Sequence, residues 1–388
     1  ILKKFGIAVR RRGYRAFFVK APQRYRPIAF DVEGDASSAS YFWAIEAISG
    51  TPVDIRNAPR FNKTSQQPDM AMRSILKKSA LPDIIDCRDF PDSAMTLAVY
   101  LAFRKGKFRL TGLQNLRMKE CDRLRALVTE LNKIGCRTHE EDDGMTIYGA
   151  PDSLHGAHIK TYNDHRMAMC FGVAGFFIQG ITIENPSCVS KTYPKFWRDL
   201  AALKKDFSEK NIILTGMRGC GKSALGAALA KAEGRRFIDI DAVVERRARK
   251  SIGEIVAARG WRYFRALESE AVDRISRVRH AVIATGGGTL MRKKNAEALK
   301  KTGKIIWLDC PVSILKKRLA GNQTRPALTP KGHFLRELSA VYRKRKKRYH
   351  YCADAVLDVS LQTSDAATDF MKKKETLGKI IRRWGLLP

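Results

Sequence analysis

The stretch Asn211–Gly226, NIILTGMRGCGKSALG, sets a β-branched apolar run before a glycine-rich turn, a Lys-Ser pair and an alanine-rich segment of helical character. Gly216, Gly221, Lys222 and Ser223 complete a GxxxxGKS pattern, and Gly219 adds a further glycine inside it. Backbone N–H groups of such a turn converge on phosphate oxygens, and the following helix N-terminus adds the positive end of its dipole. In that arrangement Lys222 neutralises the β- and γ-phosphates, Ser223 ligates Mg²⁺ through its hydroxyl, and Ala224 belongs to the same cradle. ATP with Mg²⁺ is the cofactor set this implies. A chance glycine turn is the competing reading, and the strand before it with a helix bearing Leu225 and Leu229 after it opposes that reading.

Four more apolar runs follow at helix-length intervals: FIDI (Phe237–Ile240), AVIAT (Ala281–Thr285), KIIWL (Lys304–Leu308) and AVLDV (Ala355–Val359). They are nearly continuous rather than alternating, as strands buried on both faces of a parallel sheet are. With IILT (Ile212–Thr215) they predict a doubly wound α/β domain with a five-stranded parallel sheet. Its boundaries are read as 211–371.

The phosphate loop identifies the donor and leaves the acceptor open. Ligands of such sheets bind beyond the carboxyl ends of the strands, where the sequence places FIDID (Phe237–Asp241), YFRALE (Tyr263–Glu268) and ATGGGTL (Ala284–Leu290). A lid-like stretch with Arg318 and TRPAL (Thr324–Leu328) comes next, then an arginine-rich helix with Arg345 and Tyr349. In this order the series resembles shikimate kinase; related P-loop kinases of cytidylate or gluconate share only the GxxxxGKS loop. The resemblance implies that Asp239 helps hold Mg²⁺ through water and that Asp241 accepts a hydrogen bond from the shikimate 3-hydroxyl and acts as its base. It implies that Arg265 and Arg345 clamp the shikimate carboxylate beside Gly286, Gly287 and Gly288. Arg325 would close over the transferred phosphate, and Arg318 would lie against adenine. Competing structural readings are solvated arginines in basic helices, a plain turn at GGG, and Asp241 as a helix N-cap.

The residues before the phosphate loop carry a second series: EGDASSASYFWAIEAI (Glu33–Ile48), FPDSAMTLAVYLA (Phe90–Ala102), NLRMKECDRL (Asn115–Leu124), YNDHRMAM (Tyr162–Met169) and CVSKTYPKF (Cys188–Phe196). Leu124, Leu127, Val128 and Leu131 follow helical spacing. Lys119, Glu120 and Arg123 cluster at that helix's start, where backbone N–H groups favour an anion. A carboxyl among cations serves as a proton donor if burial keeps part of it protonated. The five stretches resemble the C-terminal half of 5-enolpyruvylshikimate-3-phosphate (EPSP) synthase over residues 1–203. The resemblance implies a metal-free, nucleotide-free reaction of phosphoenolpyruvate with shikimate 3-phosphate. Asp92 would take the 5-hydroxyl proton and Glu120 would protonate the enol methylene carbon. Arg123, Arg166 and Lys191 would hold phosphoenolpyruvate, Lys119 would lie on the shikimate side, and His165 would make an auxiliary polar contact. The bland alternatives are a surface ion pair for Glu120–Arg123 and an N-cap role for Asp92. The family's complete enzyme closes two similar domains on its site, so this chain, opening on Ile1 and LKKFGIAV, is expected to lack most of the N-terminal one and to need it for turnover.

Between the two series, LKKDFSEKN (Leu203–Asn211) reads as a tight linker at 204–210, and 372–388 as a basic, amphipathic tail. Transferase before kinase is also the order in the AROM multienzyme family, so a longer polypeptide is an expected partner. The 388 residues suit about two to three domains. No signal peptide stands out, and the run Met167–Ile183 is too interrupted to span a membrane, reading instead as a buried helix to Gly180 and a strand. Eight scattered cysteines suit reduced thiols and a cytoplasmic location. The charge of +34, from 73 Lys+Arg against 39 Asp+Glu, exceeds what anionic substrates require. A nucleic-acid-binding protein that has repurposed both folds is the reading from another class. The intact motif series, and the lack of a zinc finger, helix-turn-helix spacing or aromatic platform, oppose it.

Overall fold

The computed structural model describes residues 1–30, 32–55, 65, 67–320, 334–360 and 366–386. Arg325 and the stretch 324–328 lie outside the described residues. The predicted parallel sheet is present, with strands in the order Arg236–Asp239, Ala281–Ala284, Asn211–Thr215, Gly303–Asp309 and Ala355–Asp358. The strand leading into the phosphate loop is therefore central, and that loop emerges between the carboxyl ends of its two neighbours. Side chains alternate across the sheet. Ile213, Ile283 and Ile305 join one buried cluster with Phe264 and Leu299, while Ile212, Leu214, Val282 and Ile306 join another with Leu225 and Leu229. Both faces are covered, which is why the strands read as continuous apolar runs. Ile240 belongs to a helix, Ile240–Ala248, rather than to the FIDI strand, and YFRALE lies within the helix Ile252–Ile275 rather than at a strand end.

The first half packs the helices Ala36–Ser49, Pro91–Ala102 and His165–Phe177 together beside a four-stranded mixed sheet. In Pro91–Ala102 every residue from Ser93 to Ala102 is buried, so these helices are apolar all round. The apolar run resolves into a helix ending at Phe177, three residues short of Gly180, and a short strand Thr182–Ile183. Among the described residues no helix is long and apolar enough to cross a membrane. Residues 2–6 form turns before an antiparallel hairpin of Val9–Arg12 with Ala16–Val19; Tyr14, Phe17 and Phe18 on it are exposed.

The junction differs from its composition. The helix Phe196–Glu209 runs through the charged stretch and leaves only Lys210 before the next strand. It is amphipathic, burying Phe196, Leu200 and Phe207. A helix spanning Ala366–Arg382 likewise crosses the expected boundary between kinase and tail.

Candidate active sites

Beyond the carboxyl ends of the parallel strands lies a cavity of about 260 Å³. Gly219, Gly221, Lys222, Ser223 and Ala224 form its phosphate-loop wall, whereas Gly216 is not among the residues that line it. Lys222 is buried and folds back on the loop, donating to the carbonyls of Gly216 at 3.1 Å and Met217 at 2.9 Å. These contacts hold an ammonium where an entering phosphate would take it over. Ser223 Oγ donates to Asp239 Oδ2 at 2.6 Å. A hydroxyl beside a carboxylate supplies the hard oxygen donors that Mg²⁺ prefers, so the residues fit that ion.

Asp239, not Asp241, caps the helix Ile240–Ala248, accepting from the amides of Asp241 and Ala242. The carboxyl of Asp241 is thereby left to face the cavity. Burial raises its pKa to about 6, and the neighbouring carboxylates Asp239 and Glu268 push the same way against Lys222. Such a value suits a group that takes a proton near neutrality. Across the cavity, Arg265 pairs with buried Glu268 at 2.7 Å. A Cβ on Gly288 would come within 2.3 Å of the Arg265 guanidinium, so a larger residue there would push that guanidinium out of its place. Arg345 donates to the Gly287 carbonyl at 2.8 Å, and the buried Tyr349 hydroxyl donates to the same oxygen. Gly286 lies beside both Asp241 and Glu268. Arg318 reaches the loop from outside, 3.4 Å from the Gly219 carbonyl. Glu268 escaped the sequence reading; it also accepts from Thr289 Oγ1 at 2.7 Å and so ties the arginine's helix to the glycine loop.

In the first half the charged residues expected at a site converge from four separate stretches. Arg123, only 2% exposed, donates to Asp92 at 3.0 Å, Glu120 at 2.5 Å and Asp164 at 2.6 Å. Asp92 is also reached by Arg166 at 3.2 Å and Lys119 at 3.7 Å, and Glu120 by Lys191 at 2.6 Å. Asp92 caps nothing: Phe90 is the N-cap, with Pro91 in the first turn, so its carboxylate is free for these cations. Lys119 and Glu120 precede the helix Arg123–Lys133, which Asp122 caps. The pairing of Glu120 with Arg123 thus comes from a turn, not from spacing along a helix.

The expected partial protonation of Glu120 is not what this arrangement produces. The Lys191 ammonium hydrogen-bonded to it holds its carboxyl down at about 2, with Arg123 acting in the same direction. Buried His165 has an Nδ1 without a hydrogen bond, 3.9 Å from Glu120, and burial lowers its pKa. Asp164 was missed as well. It is fully buried, and its carboxylate both binds Arg123 and caps the helix His165–Phe177. Asn-Asp before an apolar helical run was the available signal for that cap.

A parallel sheet with a glycine-rich phosphate cradle, an adjacent hydroxyl–carboxylate pair and a carboxyl tuned near neutrality defines a P-loop phosphotransferase, here joined to a second α/β unit holding a carboxylate–guanidinium cluster. Residues 1–200 match the family EPSP synthase (3-phosphoshikimate 1-carboxyvinyltransferase), and residues 218–375 match the family shikimate kinase. The chain belongs to the EPSP synthase family and carries a shikimate kinase family domain behind it. It is similar to the pentafunctional AROM polypeptide 2 of Lodderomyces elongisporus, 28% identical over 434 residues that cover 99% of this chain and 27% of that one. The 3-phosphoshikimate 1-carboxyvinyltransferase of a Sulfurovum species is 39% identical over 221 residues, 52% of this chain and 51% of that one. A solved shikimate kinase from Acinetobacter baumannii in complex with shikimate shares 29% identity, covering 46% of this chain and 96% of that chain with a TM-score of 0.40. The chain spans about half the length of the curated transferase it matches and about a quarter of the AROM polypeptide.

Proposed function

We propose that the second half transfers the γ-phosphoryl group of ATP to the 3-hydroxyl of shikimate. The observation that carries this reading is one cavity shared by the phosphate loop, Asp241 and the Arg265–Arg345 pair. In it a carboxylic-acid alcohol fits with its carboxylate on the two guanidinium groups and its hydroxyl toward Asp241. Asp241 takes the hydroxyl proton as the oxygen attacks the γ-phosphorus and ADP departs. Lys222 leaves its backbone partners for the β- and γ-phosphates, and the loop amides hold the charge that develops. Mg²⁺, held through Ser223 and Asp239, would supply further neutralisation of the phosphates. Arg318 and Arg325 are assigned to adenine and to the transferred phosphate. The eight free thiols support a reducing, cytoplasmic setting. Measuring ADP release with shikimate, gluconate and cytidylate tests the assignment. Turnover with shikimate alone supports it, and turnover only with another acceptor overturns it.

For the first half we propose the phosphoenolpyruvate-side part of a carboxyvinyl transfer site. Arg123, Arg166 and Lys191 would receive the carboxylate and phosphate of phosphoenolpyruvate, Lys119 would lie on the shikimate side, and His165 would make an auxiliary polar contact. Entry of that trianion would draw Lys191 away from Glu120 and place negative charge beside it. Both changes raise the carboxyl's pKa toward a proton donor's range, and Asp92, relieved of Arg166, would accept the 5-hydroxyl proton. Groups that act together fail together when some are absent, so turnover requires the remainder of the transferase. A second reading, a scaffold for the kinase, is favoured by the mutual pairing of these charges and by the contact between the halves.

A further inference from the structure

We propose that Trp384–Leu386 is an internal docking segment that leaves the last helix of the kinase and fills a notch on the transferase half, making the two halves one cooperative unit. The helix Ala366–Arg382 lies against the helix Lys222–Ala232 that follows the phosphate loop, and against the edge strand Ala355–Asp358. It buries Leu377 and Ile381 there. The chain then turns at Gly385, whose φ is +67°. A Cβ at that residue would stand 2.6 Å from Phe176 Cε1 and 3.4 Å from Phe207 Cδ1. Phe176 lies in the last turn of the transferase helix His165–Phe177, Phe207 lies near the end of the connecting helix, and the two rings meet edge to face at 5.1 Å. Glycine is thus required twice at one residue, for its backbone angle and for its lack of a side chain. Leu386 beyond it is fully buried.

Two kinase side chains close the notch. Buried Arg235 donates to the carbonyls of Lys210 at 2.8 Å and Ser208 at 2.9 Å, and to that of Leu386. Its two terminal nitrogens find these carbonyls only when the connecting helix and the C-terminal segment meet at one place, and losing them would leave buried donors unmade at a cost. Lys304, at the start of a kinase strand, donates to the Gly50 carbonyl at 2.7 Å and lies 5.7 Å over the Trp384 ring. Gly50 terminates the transferase helix Ala36–Ser49. Arg383 pairs with Asp152 of the transferase half. A single apolar cluster accordingly runs from Ala36 through Phe176 and Phe207 to Leu214, Trp384 and Leu386. The phosphate-loop helix is packed against the helix Ala366–Arg382 that leads into this segment, so the donor site of one half rests on an element anchored in the other.

Scanning calorimetry of the full chain tests this. The unmodified chain is expected to show one transition whose calorimetric and van't Hoff enthalpies agree. Gly385→Val is expected to split it into two transitions separated by at least about 5 °C. Arg235→Met provides an independent route to the same split if Gly385→Val does not accumulate as folded protein. Hydrogen exchange supplies a second readout: amides of the helix Phe196–Glu209 should exchange at least about 10-fold faster in either variant, with the central kinase strands unchanged. Two transitions already present in the unmodified chain, or a single unshifted transition in both variants, would overturn the proposal.

Discussion

The kinase half and the transferase half both gather cations for anionic substrates, yet they hold those cations differently while they wait. In the kinase, Lys222 rests on backbone carbonyls, and the carboxyl opposite it is raised to about 6. In the transferase, Arg123 already binds three carboxylates and Lys191 a fourth oxygen, so Glu120 is held at about 2. Weakly held charge lets a ligand take over at little cost, whereas mutually paired charge must be displaced before a substrate can bind. The contrast makes one site poised by its own residues and the other dependent on what arrives.

The largest effect expected from breaking this contrast is at the phosphate loop. Lys222→Met should lower kcat for shikimate phosphorylation roughly 10³-fold, with shikimate binding by calorimetry retained. In the transferase half the heaviest consequence falls on stability. Asp164→Ala leaves buried Arg123 short of its innermost partner and should destabilise that half by about 3 kcal/mol in urea unfolding. Next comes Asp241→Asn, expected to reduce kcat about 10²-fold at pH 7.

Asp241 also gives a pH signature. Because its native pKa is raised to about 6, the base form is lost below that value. The kcat/KM for shikimate should fall about tenfold per pH unit there and be level above it. The native state binds this proton more tightly than the unfolded chain. Asp241 therefore adds stability as pH falls from about 6 toward the ordinary carboxylate range, and loses it as pH rises through 6. Asp241→Asn should abolish that window. The smallest effect is at Glu120: Lys191→Met should let its pKa climb from about 2 toward the ordinary glutamate value, read by carboxyl NMR.

Much of the kinase was legible because its signals are local. Each strand is buried on both faces and announces itself as an apolar run, and the phosphate loop occupies eight consecutive residues, Gly216–Ser223. What escaped depends on distant partners. Glu268 and Asp164 are ordinary carboxylates in sequence, and only folding brings Thr289 to one and Arg123 to the other. The competing cap readings of Asp92 and Asp241 fall away because the N-cap positions sit two residues earlier, at Phe90 and Asp239. The junction LKKDFSEK reads as a short, tight linker from its charge, whereas a helix runs through it and Phe207 within it is a fully buried contact. In the amphipathic tail, Trp384 and Leu386 interrupt a basic stretch and carry its packing.

The central claim, a self-sufficient kinase beside a transferase half that waits for more, has one direct measurement. The purified chain is incubated with shikimate, ATP, Mg²⁺ and phosphoenolpyruvate, and the products are followed by mass spectrometry. Shikimate 3-phosphate should accumulate with an equal yield of ADP while phosphoenolpyruvate is left intact. Absence of shikimate 3-phosphate, or formation of the carboxyvinyl product by this chain alone, would contradict the account.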